Sequence, residues 1–252
     1  MVKLYKLDEI LQGSDSREPW QLDAVHKWKM KMTDRDLKFP CIPAVLGFTL
    51  NHLRYGFIGP AEENDAAKQL ADLLQCFGEH SRTFGPYTSL VVFIHAKSEA
   101  QHREGMDYYE QLFWSLLSCA TEFDRKPWPV HVPDDPSEHL WEFCYGGEPY
   151  FVYCGTPAHT LRRSRSFPYM VLAFTPRWVL NQFNAAPLRA EKTKQMIRKR
   201  LHAYDPVPPH PDLNLYGAED NYEWRQYFLH DSEDSLPVCP FARMYRKYEN
   251  KT

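Results

Sequence analysis

No two cysteines of the chain stand at the Cys-x-x-Cys spacing. The six present (Cys41, Cys76, Cys119, Cys144, Cys154 and Cys239) are thinly spread over 252 residues. That pattern argues against a zinc ribbon, a thioredoxin-like redox pair, a covalent c-type haem and a disulfide scaffold. Long apolar runs are lacking too: the longest, such as Leu90–Ile94, are strand-sized and far too short to cross a bilayer. The N-terminal MVKLYKLDEI has no apolar core followed by a small-residue cleavage site, so no signal peptide is expected and the chain reads as cytoplasmic. An excess of positive charge is missing as well. A formal net charge of −3 offers no field for nucleic acid or anionic lipid, and neither is an expected partner. P-loop, GxGxxG, HExxH and GxSxG motifs are all absent, which leaves nucleotide-binding and hydrolase readings without support.

What the chain does have is material for a core: it is 43% hydrophobic, 15% aromatic and 25% charged. No repeat, low-complexity tract or Gly/Ser linker divides it, so residues 1–252 read as one domain. Ala66, Leu70, Leu73, Leu74 and Phe77 share one helical face. Leu112, Phe113, Leu116, Leu117, Ala120 and Phe123 do the same in the strongest helix. Weaker helices are expected from Trp20 to Lys31 and from about Ala190 to Tyr204, the latter strongly basic. Strands are expected at Leu53 to Ile58, Leu90 to His95, Leu140 to Tyr145, Tyr150 to Cys154 and Tyr169 to Phe174. Gly146-Gly147-Glu148-Pro149 marks a hairpin, and the doubly apolar Leu90 to Ile94 and Met170 to Phe174 suit central strands. Strands and helices do not alternate regularly, so the fold expected is α+β: a mostly antiparallel central sheet with packed helices.

The most information-rich segment is Thr156-Pro157-Ala158-His159-Thr160-Leu161-Arg162-Arg163-Ser164-Arg165-Ser166-Phe167, placed between two expected strands. One imidazole beside three arginines suits a haem: a single histidine can be an axial ligand, and arginines can hold the propionates. The same arginines suit a phosphate or surface carboxylates equally well, and most histidines serve no ligand role. Cys239, in Cys239-Pro240-Phe241, is a rival iron ligand; Cys41, after Pro40, offers a similar pairing, and His95 is a third option.

The chain resembles the YqcI/YcgG family. The resemblance is carried by Phe39-Pro40-Cys41, Thr156-Pro157-Ala158-His159, Arg163-Ser164-Arg165 and Pro176-Arg177-Trp178. Further blocks are Tyr204-Asp205, His210-Pro211, Tyr216-Gly217, Asn221 to Tyr227 and Cys239-Pro240-Phe241. The family includes haem-dependent enzymes that hydroxylate nitrogen on arginine and on cyclic guanidines. The resemblance therefore implies haem b held non-covalently, with His159 as iron ligand (rival Cys239) and Arg163, Arg165 and Arg177 as cofactor-binding residues. It also implies a small guanidine or amine substrate, oxygen or peroxide as oxidant, and a further electron-donating partner. Glu223 and Trp224 are the expected catalytic pair, with Glu223 as the anion for a cationic substrate and Asn221 as the N-cap of a helix that contains them; core packing of Trp224 and Tyr227 at helical spacing, with Glu223 as a cap partner, suits the same block equally well. A haem-binding protein without catalysis, or a binder of an anionic metabolite, is the alternative.

Overall fold

The computed structural model describes residues 3–13, 17–61, 63–96, 98, 103–214 and 220–243. Five strands form one sheet: β1 (Arg54–Ile58), β2 (Leu90–Ile94), β3 (Phe143–Tyr145), β4 (Glu148–Gly155) and β5 (Met170–Pro176), in the order β1-β2-β5-β4-β3. Only the β1–β2 pair is parallel; the other three pairings are antiparallel. Seven α-helices surround the sheet among the described residues: α1 (Leu7–Gln12), α2 (Pro19–Thr33), α3 (Ile42–Thr49), α4 (Glu63–His80), α5 (Met106–Ala120), α6 (Arg177–Asn184) and α7 (Pro187–Tyr204). This is a single α+β domain with a mostly antiparallel sheet.

Side-chain alternation along the strands divides the core in two. Leu90, Val92 and Ile94 of β2 face α4 and α5, packing with Leu70, Leu74, Phe77, Phe113 and Leu117. Val91 and Phe93 face the other way, toward Val25 and Trp28 of α2 and Phe48 of α3. Because β2 and β5 lie inside the sheet with both faces covered, every residue of β2 is buried. The tight turn between β3 and β4 uses Gly146 at φ 62° and Gly147 at φ 77°, two successive left-handed residues that glycine adopts at little cost.

Three local expectations need correction. The strand expected from Leu140 begins only at Phe143, because Trp141 N–H turns back to the Glu138 carbonyl (3.0 Å) and leaves Leu140 outside the ladder. Helices α2 and α7 start earlier than their apolar stripes suggest, each led by a proline whose fixed φ suits the first turn. The helix expected at Asn221 is only a 3-10 turn, Glu223–Gln226, preceded by Tyr222. Asn221 does not cap it; its Oδ1 instead accepts from Gln226 Nε2 (2.9 Å). Tyr216 and Gly217 lie outside the described residues.

Candidate functional site

Strand β4 ends at Gly155, where a Cβ would stand 2.8 Å from the Arg165 carbonyl oxygen, so the absence of a side chain lets the following loop return this closely. The loop then closes on itself. Thr156 N–H donates to Arg165 O (3.0 Å) and Phe167 N–H to Thr156 O (3.1 Å). Its buried arginines serve the main chain. Arg165 Nη1 donates to the carbonyls of Cys154 (3.1 Å) and Tyr227 (2.8 Å), and Nη2 to that of Gln226 (2.8 Å). Arg162 donates to the carbonyls of His230, Pro208 and Ser232. Asp231 accepts the N–H groups of Thr160, Leu161 and Arg162. Burial raises the Asp231 pKa, but these hydrogen bonds outweigh it and hold the carboxyl below its ordinary value. Arg163 points to solvent, and its own carbonyl accepts from Lys31 Nζ (2.7 Å).

His159 is sealed inside this loop at 1% exposure. Its Nδ1 is paired with Thr156 Oγ1 (2.7 Å) and its Nε2 with the Leu229 carbonyl (2.8 Å). A carbonyl only accepts, so Nε2 carries the proton and Nδ1 accepts from the threonine hydroxyl. Burial drives its pKa down to about 4, keeping the ring neutral. Iron could be bound here only if one of the two bonds were given up.

Arg177, Glu223 and Trp224 lie elsewhere. Arg177 follows β5 and is clamped between two buried carboxylates: Nε donates to Glu142 Oε2 (2.6 Å) and Nη2 to Glu223 Oε1 (2.9 Å), with Nη2 also against Glu142 Oε2. Burial works against the Arg177 charge, but Glu223 and Glu142 more than offset it. Burial raises the Glu223 pKa despite Arg177. Glu142 Oε1 and Glu223 Oε2 make no hydrogen bond. Trp224 is core, 6.0 Å from the Trp114 ring. Ile94 pairs with Met170 while Tyr150 pairs with Pro176, so Arg177 and His95 lie at opposite ends of the seven-residue β5. That separation is roughly 20 Å at the usual strand rise. The site residues read from sequence therefore fall into two groups at opposite ends of the sheet, bridged by the segment from Glu223 to Leu229 along β4.

The remaining ligand candidates differ in chemistry. Burial pushes the half-buried Cys239 thiol up to about 12, so it is held as the thiol and not the ligating thiolate. His210 and His230 are hydrogen-bonded to Asp234 O and Glu110 respectively. His52 has an unpartnered Nδ1 but is packed against Tyr87 and Gly85. His95 also has a buried, unpartnered Nδ1, and among the described residues its ring makes aromatic contacts and no hydrogen bond. It is half-buried just beyond β2, with its ring 4.9 Å from Trp20 and 5.9 Å from Tyr169. Phe57 lies 5.7 Å from Trp20, and the Arg17 guanidinium covers Tyr5 at 3.7 Å.

A model of the YqcI/YcgG family matches residues 28–242. The chain belongs to the YqcI/YcgG family. It is 42% identical to the uncharacterized protein YqcI of Bacillus subtilis over 251 residues, covering 100% of this chain and 99% of YqcI. It is 43% identical to the uncharacterized protein YcgG of the same organism over 223 residues, 88% of each chain. A more distant relative, from Streptomyces lavendulae, is provisionally named N(omega)-hydroxy-L-arginine synthase DcsA. It is 28% identical over 238 residues, covering 92% of this chain and 87% of that protein. No solved structure matches the chain.

Haem, implied by the family resemblance, needs one uncommitted protein donor, a broad apolar contact and cations for two propionates. Around His159 these groups are engaged by the protein itself. Around His95 the donor, the apolar contact and one of the two cations are present: an imidazole with an orphaned nitrogen, aromatic rings beside it, and Arg17 stacked on Tyr5 and 5.9 Å from Phe57. Among the described residues no three His, Cys, Asp or Glu side chains converge, so they do not build a bare-ion site with three protein donors.

Proposed function

We propose that this chain is a haem-dependent enzyme that hydroxylates a nitrogen atom of a small guanidine- or amine-bearing metabolite. The observation that carries the reading is the nearly full-length match to the Streptomyces lavendulae protein, whose name specifies an N-hydroxylated arginine. His95, whose Nδ1 is buried without a partner and whose ring makes no hydrogen bond among the described residues, supports the cofactor half of it. An anionic-metabolite binder draws no such support, because Arg162 and Arg165 direct their donors at main-chain carbonyls.

The reaction converts N–H to N–OH. With peroxide as oxidant, one oxygen enters the substrate and the other leaves as water. With dioxygen, two electrons and two protons from a donor partner accompany the second oxygen into water. Bound haem supplies the oxygen-activating chemistry, and the protein supplies placement and a dry surround. A cationic substrate entering that surround needs an anion beside it. Glu223 already neutralises Arg177 at the far sheet end, so in this reading it ties residues 223–226 to the sheet. The anion beside the aromatic group is Glu18, which accepts from Trp20 Nε1 (2.6 Å); Asp23, which accepts from the Tyr169 hydroxyl (2.7 Å), is already paired with Lys27 (2.7 Å).

The test is turnover. Haem-loaded protein is supplied with arginine, agmatine or a cyclic guanidine, and either peroxide or dioxygen with a reductant; products are read by mass. A product carrying one added oxygen on nitrogen is expected. Oxygenation of neutral or acidic compounds only would remove the guanidine reading, and no oxygenation of any substrate would remove the enzyme reading.

A further inference from the structure

We propose that His95, and not His159, is the imidazole that takes the haem iron, with the aromatic group at the carboxyl ends of β1 and β2 as the surface on which the porphyrin lies. The proposal rests on the haem-dependent reading above and names its site.

Three observations carry it. The first is hydrogen-bonding capacity. Coordination by His159 has to compete with Thr156 and Leu229, whereas no hydrogen bond has to be broken at His95. A buried ring nitrogen without a partner is costly in a folded protein, so a bond formed there is gained without another being lost. The second is surface chemistry. Trp20, Phe57 and Tyr169 gather around His95 and remain half-buried, although aromatic rings of this size gain by full burial. A flat apolar macrocycle would complete their cover. At the rim, Arg17 is stacked on Tyr5, and its Nε has no hydrogen-bond partner, which leaves a donor suited to a carboxylate such as a propionate. The third is position. β1 and β2 are the parallel pair, and the region outside the carboxyl ends of parallel strands is where open sheets commonly bind ligands.

The two histidines sit on opposite faces of the sheet. His159 lies against Phe228 on the α4–α5 side, and His95 lies against Trp20 on the α2 side, so no single porphyrin position serves both.

The experiment is a haemin titration of the full chain, followed by Soret absorbance and electron paramagnetic resonance, with His95→Ala and His159→Ala in parallel. Wild type is expected to give a histidine-ligated spectrum. His95→Ala is expected to lose that spectrum or bind at least about tenfold more weakly, and added imidazole to restore the ligation signature. Folded His159→Ala is expected to keep it. If His95→Ala does not fold, His95→Gln preserves bulk without an imidazole and is judged by the same spectrum. Arg17→Gln is expected to weaken binding while leaving the spectrum unchanged. If wild type and the folded His95 variant bind equally with the same spectrum, the His95 assignment falls and the haem reading stands. If wild type binds no haem, both fall.

Discussion

Two histidines near the same end of one sheet show how differently a fold can treat one side chain. His159 is sealed, with a hydrogen bond to each ring nitrogen, in a loop whose buried arginines and aspartate are spent on main-chain groups. His95 is half-exposed, its Nδ1 unpaired, among aromatic rings that remain half-covered. A fully satisfied network rigidifies the fold; a buried group left unsatisfied is one to which a partner can add free energy. In the reading proposed above, the first region serves stability and the second serves ligand binding.

The largest effect expected from breaking this contrast is at Arg165. Replacing it with Met takes a charged donor from three buried carbonyls, of which that of Tyr227 keeps a second donor, the Cys154 N–H (3.1 Å), and should cost about 3–5 kcal/mol. Urea denaturation checks it; a loss under about 1 kcal/mol would mean the loop is not held as described.

His159→Ala comes next, at about 2–4 kcal/mol for a buried ring with two hydrogen bonds. A pH series sharpens this. The folded pKa, about 4, lies below the ordinary 6.5, so between those values the unfolded chain binds more protons. Stability from this group is complete above 6.5 and is lost as pH falls toward about 4. Acidification from about pH 7 to about pH 5 should therefore cost wild type about 2 kcal/mol through this residue, and the variant should lack that component. Equal slopes for both proteins would contradict the buried, neutral ring.

Glu223→Gln should destabilise by about 1–3 kcal/mol, since Arg177 keeps Glu142 but loses its second carboxylate. Haem affinity should not change, because the cluster lies at the other sheet end; a loss of haem without a loss of stability would return Glu223 to the ligand site. The smallest stability effect is expected at His95. His95→Ala in the haem-free protein removes no hydrogen bond and should change stability by under about 1 kcal/mol.

Sequence alone shows most of the fold. The helical stripes of α4 and α5 and the Gly146-Gly147 turn follow from local spacing, and β2 and β5 are legible as central because their residues are apolar on both faces. The site was harder to read because an arginine's partners are set by tertiary structure. Arg162 and Arg165 are buried on carbonyls while Arg163, between them, faces solvent. A dense cluster of His and Arg reads as a cofactor cradle, yet here the chain folds back and uses it internally. In sequence His95 stands behind His159 because its own segment carries no signature. Trp20, Phe57 and Tyr169, which give it meaning, are distant in sequence and meet only when α2, β1 and β5 come together.

The contrast between the two histidines is tested most directly by footprinting with diethyl pyrocarbonate, with and without haemin, read by peptide mass spectrometry. His95 should be modified readily in the haem-free protein and protected when haemin is bound, while His159 stays unmodified in both. Modification of His159 in the haem-free protein that haemin suppresses, with His95 indifferent to haemin, would place the cofactor on the sealed loop and contradict the account.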